Sequence, residues 1–336
     1  MTSLDGYEHG TGEHCGSTSL RNLATHHAWD FDEPTCFGLA SGLGFTYFEL
    51  PESPHRGFFG RPLWIEDAYF AHLGIGYNLH RGESWETVVD RLRARTAAGD
   101  PVLVYTDIFH LDYFDTDTHF APHTLLVIGI DDETAVLSDS EFDDPQRLPL
   151  DRLRASTESS YVFDLANRHL VVTDTEPTVG FADAAREAIA DTASYMLDPE
   201  TRDRPLGPGE HGLDGIRRFA DELPTWTAYD EPTWSVRFAY QNVERRGTGG
   251  GTFRRLYARF LDRATEELPE LDPELAERTH GIADDWTAIG ETLKDASEVD
   301  EVSAMDPQLA EAQAAIRDVA DRERELYEGL LAAVEE

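Results

Sequence analysis

Two periodicities divide the chain. His14 to Ala28 spaces its apolar residues as a helix does, and Glu33 to Leu43 reads as a small-residue helix feeding the aromatic, strand-like Phe45 to Leu50. Trp64 to Leu73 is a further helix. Ser84 is a candidate N-cap for a helix through Ala98, in which Val88, Val89 and Leu92 form an apolar stripe before Gly99 and Pro101 stop it. Strand patterns then take over in PVLVYTDI (101–108), HTLLVIGI (123–130) and TAVLSD (134–139). The last two are joined as a hairpin by Asp131, Asp132 and Glu133. RHLVVT (168–173) supplies one more strand. Past 174–179 the period is helical over about 180–195, 212–223, 230–245, 252–268, 272–296 and 306–334, with no strand signal of comparable strength.

The expected architecture is therefore an α+β domain over residues 1–175 followed by an all-α domain over 176–336, since 336 residues exceed what one core comfortably serves. No apolar run reaches the roughly 18–20 residues that span a bilayer, and the first 30 positions lack a basic-then-apolar secretion signal. A cytoplasmic, non-membrane protein is the expectation. The net charge of -38, from 66 acidic and 28 basic residues spread along the whole length, disfavours a nucleic-acid partner, which needs a basic patch. The acidic coat, with Lys294 as the single lysine, resembles the solvation strategy of halophilic archaeal proteins. Two cysteines, Cys15 and Cys36, neither form a disulfide framework nor show zinc-site spacing.

Candidate chemistry concentrates at three places. Gly12-Glu13-His14-Cys15-Gly16 sets a cysteine where a turn enters a helix, and helix N-terminal amides favour the thiolate. A small buried cysteine starting a core helix is the competing reading. His123 stands at the first position of a strand behind Pro122, a rigid place for a base, and sixteen positions on Asp139 ends the hairpin partner. Antiparallel pairing returns that carboxylate toward the imidazole. A nucleophile, a base and an orienting acid in the order Cys15, His123, Asp139 is what acyl chemistry at a thiol requires.

The stretches HCGST (14–18), CFGLASGLGFTYFEL (36–50), PVLVYTDIFHLDYF (101–114), PHTLLVIGID (122–131) and LSDSEFDDPQRLPLDRL (137–153) resemble the butirosin biosynthesis protein H family. GTGGGTFRRLYARFLDRA (247–264) is similar to the helical domain that often follows it. The resemblance implies a papain-like cysteine protease/acyltransferase fold and an acyl group taken from a carrier-protein thioester and passed to a small amine acceptor. The catalytic residues implied are Cys15, His123 and Asp139. The histidine-to-aspartate hairpin is also similar to that of bacteriocin-leader peptidases, so a peptidase, an amidase, a thioester hydrolase or a non-catalytic carrier-protein-binding module are the alternatives. No cofactor and no metal are expected: Pro122 breaks the helix that would align His119 with His123.

Papain-like enzymes usually carry an oxyanion-donating Gln six positions before the nucleophile, where this chain has His9. His9 and His14 are the candidate substitutes, against a packing role for either. Asp107 and Tyr113 are candidates for binding the amine acceptor, against a role as loop contacts. Arg56, Arg61 and the 247–251 glycine loop read first as salt-bridging and connecting residues, and Cys36 as packing. Apolar stripes in the last 150 residues read as bundle core or as a homodimer seam.

Overall fold

A computed structural model describes residues 4–201 and 206–335. They form two compact units, one of residues up to Cys36 with Leu73–Thr178, the other of Phe37–His72 with Val179 onward. The elements in chain order are α1 (Cys15–His26), α2 (Glu33–Leu39), β1 (Thr46–Glu49), β2 (Arg56–Phe59), α3 (Ile65–Leu73), β3 (Tyr77–His80), α4 (Trp85–Ala97), β4 (Val102–Thr106), β5 (His123–Ile130), β6 (Thr134–Ser138), β7 (Gln146–Pro149), α5 (Leu150–Thr157) and β8 (His169–Val172). There follow α6 (Phe181–Leu197), β9 (Glu210–His211), α7 (Gly212–Glu222), α8 (Pro232–Glu244), α9 (Arg254–Glu267), α10 (Pro273–Ala296) and α11 (Asp306–Glu335).

The first unit is built on a six-stranded sheet, β3-β8-β4-β5-β6-β7, antiparallel throughout. β5 lies between β4 and β6, and its unbroken apolar run fits a strand covered on both faces. On one face Val102, Val104, Leu125, Val127, Ala135, Leu137, Leu148 and Val171 pack with Val88 and Leu92 of α4 and Leu153 of α5. The alternate residues Leu103, Leu126 and Ile128 are buried as well. α1 packs against β5, with Ser19 Oγ donating to the Thr124 carbonyl at 3.3 Å. The expected cap is present: Ser84 accepts from Thr87 N at the start of α4.

The second unit is helical around a three-stranded antiparallel sheet, β2-β1-β9. Phe45, Phe58, Phe219 and Trp286 cluster at its centre, the Phe45 ring lying 5.0 Å from Phe58, 5.8 Å from Trp286 and 6.4 Å from Phe219. The all-helical reading of the C-terminal part thus needs the correction that β9 completes this sheet; a two-residue strand carries too little pattern to be seen in sequence. β2, β3 and β7 escaped the pattern for the same reason, being four residues long and rich in polar positions. Phe37–His72 belongs with these helices, whereas the linear division at 175 and 176 counts it with the first domain. The glycine loop is a tight connection: Gly251 N donates to Glu244 Oε1 at 2.9 Å, and a Cβ on Gly251 would meet the Ala283 carbonyl at 2.6 Å. Arg56 pairs with Glu222 at 2.8 Å, as expected of a salt-bridging residue. No helix of the described residues is long and apolar enough to cross a membrane.

Candidate active site

α1 begins at Cys15, and the turn before it is held by one carboxylate. Glu33, in the first turn of α2, accepts from Glu13 N at 3.0 Å, His14 N at 2.9 Å, Ser17 Oγ at 2.9 Å and Thr18 Oγ1 at 2.9 Å. Gly12 is required there, because a Cβ would strike Thr18 Oγ1 and Glu33 Oε2. His14 is the N-cap: its Nδ1 accepts from Ser17 N at 3.2 Å. A nitrogen that accepts keeps its lone pair, so the neutral ring carries its proton on Nε2.

His123 opens β5 and is fixed at the backbone by Thr106, its register partner on β4, whose Oγ1 donates to the His123 carbonyl at 2.8 Å. Its Nε2 faces Asp139 Oδ2 at 3.0 Å. A bulge between Val127 and Gly129 shifts the hairpin register, so that Leu126 pairs with Ser138 and Asp139 follows directly. Asp139 therefore reaches His123 as a diagonal neighbour on the same face rather than from directly across. The carboxylate is saturated: Tyr113 OH donates to Oδ2 at 2.9 Å and Glu141 N to Oδ1 at 3.2 Å. Phe114 stands edge-on to the His123 ring at 5.4 Å and meets Phe142 at 5.1 Å, so aromatic rings shield the pair.

The Cys15 thiol is under the influence of both His123 and His14. Since Asp139 engages Nε2, Nδ1 is the His123 nitrogen left for the sulfur. Burial alone pushes this thiol up; the electrostatic influence of His14 and the hydrogen bonds from His123 and His14 outweigh it and hold the thiol well below its ordinary value. Burial pushes His123 down, yet the charge and hydrogen bond of Asp139, aided by Cys15, lift it well above the ordinary imidazole value. Burial raises Asp139, and His123 and Tyr113 return it below the usual carboxylate range. Both shifts run in the direction of a thiolate beside an imidazolium. Cys15 is 8% exposed and Cys36, the other cysteine outside any disulfide, 0%.

The remaining sequence candidates divide. Tyr113 joins the group through Asp139. His9 does not face the thiol: its Nδ1 meets Ser138 Oγ and its Nε2 the Phe142 carbonyl, both at 2.7 Å, so neither nitrogen is left for a substrate. Asp107 is fully buried and accepts from His119 Nδ1 and Ser159 Oγ at 2.7 Å, Phe120 N at 3.1 Å and Phe109 N at 3.2 Å. It staples the loop that leads into His123, and no oxygen is open to an amine. Glu33 went unnoticed in the sequence because an acid in a helix's first turn is unremarkable there. Glu141 too was missed: burial together with Asp139 and Cys15 raises its carboxyl, which marks it as a near neighbour of the thiol group.

Residues 150–330, more than half of the chain, match the family model described as a domain of unknown function, DUF4872. The chain belongs to the DUF4872 family. Residues 14–140 match the model described as butirosin biosynthesis protein H, N-terminal, so the two matches together give the butirosin biosynthesis protein H-like arrangement. All three of Cys15, His123 and Asp139 fall inside the N-terminal match. No curated protein matches the chain.

Proposed function

We propose that the chain is a cysteine-dependent acyltransferase with a papain-like catalytic part, taking an acyl group from a carrier-protein or similar thioester to a small amine. The observation that carries this reading is the buried His123–Asp139 pair, Nε2 to Oδ2 at 3.0 Å, together with a Cys15 thiol at the start of α1 that His14 and His123 hold below its ordinary value. The N-terminal family match supports the same class of chemistry.

In this reading His123 Nδ1 holds the Cys15 proton and the thiolate adds to the thioester carbonyl. The oxyanion is met by the Cys15 backbone N–H at the helix N-terminus and by the Nε2–H of His14, which takes the part expected of a glutamine at position 9. Collapse breaks the carbon–sulfur bond of the donor, whose thiolate recovers the proton from His123 and leaves the acyl group on Cys15. An amine then attacks the acyl-enzyme, gives its proton to His123, and releases the product amide and the Cys15 thiolate. Asp139 keeps the ring aligned and stabilises it when charged.

Incubation with an S-acyl-N-acetylcysteamine tests the reading by intact mass and peptide mapping. One acyl adduct on Cys15, discharged faster by a primary amine than by water, is expected. Discharge at equal rates with and without amine would make the protein a thioester hydrolase, and an unmodified Cys15 would leave it a binding module.

A further inference from the structure

A second group of titratable residues, used by none of the steps above, sits at the β3 edge of the six-stranded sheet. His80 and His169 are direct partners in the antiparallel β3–β8 pair, so both imidazoles stand on one face, stacked with centroids 4.9 Å apart. Glu83, in the turn from β3 to α4, brings one oxygen to 3.2 Å from His80 Nδ1 and the other to 4.0 Å from His169 Nε2. The three donor atoms all lie within 4.8 Å of one another.

Their orientation is fixed from behind. His169 Nδ1 is 2.8 Å from the Asn167 carbonyl and must donate to it, which leaves the Nε2 lone pair pointing into the cluster. Asn167 Nδ2 also donates to the Glu83 carbonyl at 3.0 Å, pinning the turn that carries the carboxylate. The place between the donors is taken by a cation of the chain itself. Arg91 Nη1 lies 2.7 Å from His169 Nε2 and pairs with Glu83, with Nη2 at 3.1 Å from Glu83 Oε1.

We propose that His80, Glu83 and His169 form a binding site for a divalent transition-metal ion, Zn²⁺ above all, in which Arg91 is the internal cation that the metal displaces. Two imidazoles and one carboxylate are a zinc donor set and a poor one for Mg²⁺ or Ca²⁺, which want oxygen. A tetrahedral ion about 2.0–2.1 Å from each donor needs them about 3.4 Å apart. The three donors lie within 4.8 Å of one another, a spacing that side-chain movement would have to tighten, and a fourth position is left for water. The side chains of His80, Glu83 and Arg91 are 24%, 29% and 23% exposed, so an ion can enter and the guanidinium can swing out. Sequence spacing hides the site, because His80 and His169 meet only through strand pairing.

Calorimetric titration of ZnCl₂ at pH 7.5 tests this, run in a Cys15→Ser background so that the thiol and its imidazoles do not compete. Saturable binding of one ion per chain is expected, tightened at least about tenfold by Arg91→Ala and abolished in that protein by His169→Ala. His80→Ala, at a partly exposed position, gives the same reading should the buried His169 prove needed for folding. MgCl₂ and CaCl₂ should give no such isotherm. Binding that Arg91→Ala does not tighten, or that His80→Ala leaves intact, overturns the proposal and makes the cluster an ion-pair lock for α4.

Discussion

The Tyr113 hydroxyl donates to Asp139 Oδ2 at 2.9 Å, the same oxygen that faces His123 Nε2 at 3.0 Å. Tyr113→Phe removes that donor at nearly constant volume, and a hydrogen bond to a charged group contributes about 1.5–3 kcal/mol. We expect a roughly tenfold or greater fall in kcat/KM for the acyl thioester. Because Tyr113 helps to hold Asp139 low, its loss lets the carboxyl rise, so the acid limb of the pH–rate profile should move to higher pH.

Asp139→Asn takes the charge away from His123. With the carboxylate gone, burial is the main influence left on the ring, and its affinity for a proton falls. The imidazolium that stabilises the thiolate is then lost and the Cys15 thiol rises toward its ordinary value. Acyl-adduct formation should drop by about 10³-fold while the far-ultraviolet circular dichroism stays that of the parent.

Glu33 holds the entry of α1 through four donors, two of them backbone amides. Glu33→Gln turns one acceptor oxygen into a donor that faces other donors. Urea unfolding should report a loss of about 1–3 kcal/mol, and Cys15 alkylation should slow in the variant while still folded.

In the second unit Arg254 and Glu323 are both fully buried and form two parallel bonds of 2.9 Å, with Trp286 Nε1 adding a third contact to the carboxylate at 2.8 Å. Glu323→Gln leaves the guanidinium without a counter-charge. The expected cost, read from urea unfolding, is about 3–5 kcal/mol. The double replacement Arg254→Met with Glu323→Leu should recover much of it.

Strong local patterns made much of this molecule legible from its sequence. β5 spans His123–Ile130 as its apolar run indicates, Ser84 caps α4, and the six C-terminal helical periods correspond to α6–α11 within a few residues. What stayed hidden depends on long-range contact. Glu33 meets Cys15's turn from another helix, Tyr113 reaches Asp139 from a separate loop, and the bulge at Val127/Gly129 sets a register that spacing alone does not report. His9 and Asp107 looked available because a side chain's partners cannot be read from its neighbours in sequence. β9 adds its two residues to β1 through pairing across more than 160 positions, which no local period encodes.

The most direct test is the pH dependence of alkylation by iodoacetamide, followed peptide by peptide. The thiolate is the reacting form, and Cys15 is held well below its ordinary value, so its alkylation should stay fast at pH values where an ordinary thiol has already slowed. Cys36, fully buried, should remain unlabelled in the folded protein. His123→Ala should move the Cys15 inflection upward toward pH 8.5, the value of an ordinary thiol. A Cys15 rate that already follows an ordinary thiol in the parent, or that His123→Ala leaves unchanged, would contradict the thiolate–imidazolium pair.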